Sequence, residues 1–114
     1  MKIQTPGKLL FPFLTGCVMA LHPFCATAQT PADLARRNAC MACHGLVHKQ
    51  VGPGFAQIAE RYRGDGEAAT RLAGKILNGS VGTWGRVIMP RQTQVSETDA
   101  QALAQWILSQ PTPR

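Results

Sequence analysis

Cys40-Met41-Ala42-Cys43-His44 sets two thiols three residues apart, with an imidazole directly after the second. Thiols at this spacing can each add across a vinyl group of one haem, and the histidine that follows is then held beneath the iron. The stretch therefore reads as a c-type haem attachment site. On a helix, positions i, i+3 and i+4 share a face, which points both sulfurs and the ring at one object. Two other uses of a Cys-x-x-Cys pair fail on the rest of the chain. A zinc ribbon needs a second ligand pair, and no further Cys or His cluster follows downstream. A thioredoxin-like dithiol sits beside a βαβ pattern, which is lacking here.

Upstream of the motif the 114-residue chain opens with Met1 to Lys8, which carries two lysines and no acid. Leu9 to Leu21 is almost wholly apolar, and Ala26-Thr27-Ala28 offers small residues. That is the three-part pattern of a secretory signal peptide, so residues 1–28 are expected to be cleaved and 29–114 to form one domain. The apolar run is too short for a membrane span, and Pro12 interrupts it. Leu14-Thr15-Gly16-Cys17 also resembles a lipoprotein processing site, which would instead leave a lipid on Cys17. Ordinary cleavage is favoured, because the apolar run continues to Leu21 and a good site follows it. It would remove Cys17 and Cys25, so that Cys40 and Cys43 remain as the sole thiols, and with both on the haem no thiol is left for a disulfide. Export to the periplasm suits a protein whose haem is attached outside the cytoplasm.

A segment of about 86 residues buries proportionally little surface, and a covalently held haem would supply apolar core. It carries ten Lys and Arg against six Asp and Glu, a net charge of +4. These basic residues are scattered rather than clustered, which argues against a nucleic-acid-binding reading. Thr30-Pro31-Ala32-Asp33 starts a helix expected to run to about Cys43, with Gly45 as its stop. Phe55, Ile58, Ala59 and Tyr62 mark a second helix that Gly64-Asp65-Gly66 ends. Ala69, Leu72, Ala73, Ile76 and Leu77 mark a third, capped by Asn78-Gly79. Residues 79–95 read as loop. Ser96-x-x-Asp99 opens a last helix with a capping box, Ala100, Leu103, Ala104, Ile107 and Leu108 form its stripe, and Pro111 marks its end. Four helices and no convincing strand give an all-α domain wrapped around one haem.

A haem histidine leaves one axial position, and its occupant separates an electron carrier from an enzyme. Met1 and Met19 leave with the leader, and Met41 lies between the two cysteines on the proximal side. Met89 remains, in an irregular segment that Pro90 stiffens, and His/Met is a standard c-type pairing. His48 lies only four residues past His44 and is expected to be a solvent-exposed side chain near the haem edge.

With these residues in view, the chain resembles the short, single-haem, class I cytochromes c of bacteria, the group that includes electron donors to nitrite reductase. Beyond residues 40–44 the resemblance rests on Val51-Gly52-Pro53, Asn78-Gly79-Ser80, Gly82-x-Trp84-Gly85, Met89-Pro90 and Trp106-Ile107-Leu108-Ser109-Gln110. It implies a cytochrome c fold and three further site residues. The carbonyl of Pro53 would accept the N–H of the axial imidazole, fixing the ring and raising its basicity. The indole N–H of Trp84 would bond a haem propionate, with Lys75 near the same group. Arg91-Gln92 departs from the family's Pro-Asn, whose Asn often touches the ligand sulfur.

The expected function is a soluble periplasmic electron carrier and not an enzyme, with one haem c on Cys40 and Cys43 and with His44 and Met89 on the iron. It would meet its redox partners as a monomer in transient complexes, with Lys49, Arg86 or Arg91 around the haem edge steering acidic docking patches. Two other outcomes follow from the same motif: the haem subunit of a larger dehydrogenase, or an enzyme or gas sensor with an open iron.

Overall fold

In the computed structural model, residues 2, 3, 7 and 28–113 are described, so expectations about the leader, its cleavage and Cys17 lie outside the described residues. The elements run α1 (Pro31–Arg37), a 3-10 turn (Cys40–Ala42), α2 (Phe55–Arg61), α3 (Ala68–Asn78), β1 (Ser80–Gly82), β2 (Gly85–Met89) and α4 (Glu97–Leu108). No described helix is long and apolar enough to cross a membrane.

Three of the four helices begin where a side chain supplies a partner for a free N–H group, while α3 starts without a side-chain cap. The Thr30 hydroxyl accepts from the Asp33 N–H at 3.2 Å, and Ser96 caps α4 in the same way through Asp99 at 3.1 Å. At α2, Gly54 has no side chain to offer, and the Gln57 Oε1 instead accepts the Gly54 N–H at 2.9 Å. α3 ends at Gly79, whose φ of 80° an L side chain rarely adopts.

α4 is the centre of the packing and touches α1, α2 and α3. Its stripe Ala100, Leu103, Ala104 and Ile107 is buried as the periodicity predicts, and the two alanines are fully closed off. Small side chains there let neighbouring helices approach closely, and Leu34, Ala35, Phe55, Ile58, Leu72, Ala73 and Ile76 complete the core around them.

Two expectations need correction. The first helix stops at Arg37 rather than near Cys43. Asn38 turns its Nδ2 back onto the Leu34 carbonyl at 3.0 Å and competes with continued helix, and Ala39 then takes a left-handed φ of 57°. The attachment motif thus starts on a 3-10 turn, although His44 N still bonds the Cys40 carbonyl at 3.0 Å and keeps the i, i+4 geometry locally. The second concerns residues 79–95, which hold a small antiparallel hairpin, Ser80 opposite Met89 and Gly82 opposite Gly85. Strand alternation is not visible because most residues of the two strands are exposed and none is buried, leaving no buried face to impose a period of two. The fold remains mostly helical.

Removal of the α1 cap by Thr30→Ala is expected to cost about 1 kcal/mol in chemical denaturation near neutral pH. The Thr30 hydroxyl, ahead of the neighbouring Arg36, holds the Asp33 carboxyl below its usual range. A depressed carboxyl stabilises the fold above its unfolded pKa and loses that contribution as the pH falls through its folded pKa. The difference between wild type and Thr30→Ala should therefore narrow below about pH 4.

Candidate functional site

The residues from Gly45 to Gly54 fold back on the motif through four backbone bonds. Gly52 N donates to the Cys43 carbonyl at 2.8 Å, Gln50 N to Gly52 at 3.0 Å, Phe55 N to Gly45 at 2.9 Å and Ala56 N to Leu46 at 2.9 Å. This return brings the Pro53 carbonyl to 2.7 Å from His44 Nδ1. A carbonyl only accepts, so Nδ1 carries the proton, which leaves Nε2 as the nitrogen able to offer a lone pair.

His44 is the one buried polar or charged side chain among the described residues, and its ring is held on more sides than by Pro53. Phe55 stacks on it, with centroids 5.2 Å apart and planes 16° apart, and Trp106 of α4 meets Phe55 edge-on at 5.2 Å. Gly52 lies so close that a Cβ there would stand 3.0 Å from His44 Cε1 and 3.3 Å from Nδ1. The C-terminal helix thus reaches the imidazole through one intervening aromatic ring.

Beside this ring opens a cavity of about 470 Å³. Cys40, Cys43, His44, Pro53, Lys75, Trp84 and Met89 all line it, together with apolar Phe55, Ile58, Leu72, Ile76, Leu103 and Ile107. Burial pushes the Cys40 thiol above its ordinary range, because a thiolate there would lose solvation. Met89 ends β2 and is half-buried against the core. The backbone beside Met89 passes so near Gly79 that a Cβ would meet the Met89 carbonyl at 2.7 Å, so the glycine is needed for space as well as for its φ. Lys75 Nζ donates to Thr83 Oγ1 at 2.9 Å and Ser80 Oγ at 3.3 Å, tying α3 to the hairpin.

The other residues singled out in the sequence are placed as follows. His48 is exposed and away from the cavity lining, Met41 packs against the core, and Lys49 reaches the cavity wall while Arg86 and Arg91 do not. Gln92 also lines the cavity, but its Nε2 donates to the Pro90 carbonyl at 2.8 Å and its Oε1 accepts from Gln94 at 3.0 Å. Gly52, Phe55 and Arg61 were missed as site residues. Phe55 and Arg61 looked like an ordinary helix stripe and a solvated charge, and only the Gly52-Pro53-Gly54 run signalled a close backbone approach.

A haem fits this arrangement on four counts: two thiols, a tautomerically fixed imidazole, a thioether and an apolar wall all border one cavity. A sequence model of the family described as Cytochrome c matches residues 30–111. Cytochrome c-551 of Pseudomonas aeruginosa is 40% identical over 105 residues, covering 92% of this chain and 97% of that protein. Cytochrome c-552 of Hydrogenobacter thermophilus is 51% identical over 77 residues, covering 68% of this chain and 78% of that protein. The crystal structure of wild-type Nitrosomonas europaea cytochrome c552 superposes with a TM-score of 0.68 at 52% identity, covering 69% of this chain and 98% of that one.

Gly52→Ala must displace either the imidazole or the return loop. It is expected to destabilise the protein by about 1–3 kcal/mol, as overpacking does, with a shift of the His44 Nδ1–H resonance in NMR as the local readout.

Proposed function

The chain belongs to the cytochrome c family, and from that premise we propose that it is a periplasmic one-electron carrier whose iron is held by His44 and Met89. Membership brings one haem c, attached through Cys40 and Cys43, and an electron-carrying role. The haem, when bound, supplies an iron that exchanges one electron between its ferric and ferrous forms.

The observation that carries the proposed ligation is the pairing of a fixed Nε2 lone pair with a methionine on the same cavity. His44 donates from Nδ1 to Pro53, which orients the ring and raises the basicity of the other nitrogen. Phe55 and Gly52 restrict rotation of that ring. Met89 offers a thioether from a backbone position that Gly79 and the hairpin hold in place, and Lys75 and Trp84 offer N–H donors on the wall they share. The apolar lining keeps water away, which together with a thioether ligand favours the reduced state.

Val51, Val81, Val87 and Ile88 line the cavity and are also exposed, so the rim is apolar, with Lys49 on the same wall. Such a rim suits a small, transient interface with another redox protein. Periplasmic location is supported by the leader pattern of residues 1–28.

Met89→Ala should lower the reduction potential, abolish the sulfur-to-iron charge-transfer band of the oxidised protein and let the reduced protein bind carbon monoxide rapidly. An unchanged potential and spectrum would refute the ligation. Protein recovered from the periplasmic fraction should have the intact mass of residues 29–114 plus one haem, and a colourless polypeptide of unmodified mass would refute the carrier itself.

A further inference from the structure

Three cations, Lys49, Arg61 and Lys75, stand on the wall of the cavity, and among the described residues no carboxylate joins them. Lys49 and Arg61 are exposed and Lys75 is half-buried, so the wall carries positive charge that no acid on the same wall balances. A wall so one-sided suits a ligand that brings negative charge, and a haem brings two propionate carboxylates.

The three cations differ in place. Lys49 forms a backbone bridge with His44, beside the attachment motif. Arg61 and Lys75 both stand at Trp84. The Arg61 guanidinium carbon lies 4.6 Å from the centre of the Trp84 ring, and Lys75 Nζ donates to Thr83, the residue before it. Arg61 is the last residue of α2 and makes no ion pair among the described residues, whereas Arg63, two positions on, is taken up by Glu60 and Thr112. The Arg61 guanidinium lies over the indole and donates to no protein acceptor among the described residues, which leaves its N–H groups available to a carboxylate. Trp84 donates its indole N–H to no protein acceptor among the described residues, so both members of the stack keep a donor free.

We propose that Arg61 is a haem-binding residue: with Lys75 it flanks Trp84 to form a two-cation seat for the propionates, and the Trp84 ring is the platform that orients the guanidinium. One lysine cannot neutralise two carboxylates, and Arg61 supplies the second charge. Placed there, it also stabilises the ferrous over the ferric iron, because added positive charge opposes oxidation. The inference rests on the reading of this cavity as the haem site.

The test uses the haem-loaded protein at fixed pH and ionic strength, with the reduction potential and the Trp84 indole N–H resonance as readouts. Arg61→Gln should lower the potential and move the indole resonance. Arg63→Gln, which removes the same charge nearby, should leave both close to wild type. Arg61→Lys should recover part of the potential without restoring the indole signal. Equal shifts in Arg61→Gln and Arg63→Gln, no shift in either, or a shifted potential with an unmoved indole resonance would each overturn the proposal. Failure of the underlying reading looks different, since the unsubstituted protein would then lack covalent haem or the sulfur-to-iron band.

Discussion

The hydrogen bond between His44 Nδ1 and the Pro53 carbonyl joins the two ends of a loop whose whole path serves it. It sets the tautomer, and the tautomer decides which nitrogen a metal can use. The bond forms only because Gly52 passes flat against the imidazole and because the loop is pinned to Cys43, Gly45 and Leu46 by its backbone. Phe55 then closes the ring from α2, and Trp106 backs Phe55 from α4. Helix packing and ligand geometry are therefore one construction: a shift of α4 would be felt at the imidazole through a single phenyl ring.

The remainder of the domain is organised around a cavity rather than around a filled centre. Residues of α2, α3 and α4 that count as core on one side, such as Ile58, Leu72, Ile76, Leu103 and Ile107, line the cavity on the other. A domain of this size has little core to spare, and its covalent haem, held through Cys40 and Cys43, supplies the missing apolar contact. The short hairpin of β1 and β2 contributes almost no burial of its own. It serves to carry Trp84 and Met89 to the wall, and glycines at Gly79, Gly82 and Gly85, all at positive φ, let it turn sharply enough to do so.

Charge follows the same division between wall and surface. The ion pairs Arg36–Asp33 and Arg63–Glu60 lie in solvent on helical turns, where such pairs add little to stability. Cations on the cavity wall have no acidic partners among the described residues. Scattered basic residues that look equivalent along the chain therefore have different surroundings, and Arg61 differs from Arg63 only because α2 ends beside the Trp84 ring.

Much of this was legible in the residues themselves. Caps and apolar stripes located α2, α3 and α4 closely, because they depend on neighbours three and four positions apart along the chain. The pentapeptide at 40–44 named the cofactor, since its chemistry is contained in its spacing. What local pattern could not supply was anything created by distant segments meeting. The early end of α1 came from the competing Asn38 bond, and the hairpin came without a buried face to betray it. The stacking of Phe55 on His44, the closeness of Gly52 and the seating of Arg61 on Trp84 join residues 8 to 23 positions apart. Chemistry written in one short stretch was decided by the chain alone; the orientation of each group toward the cavity was decided only when the loop, the hairpin and α4 closed around it.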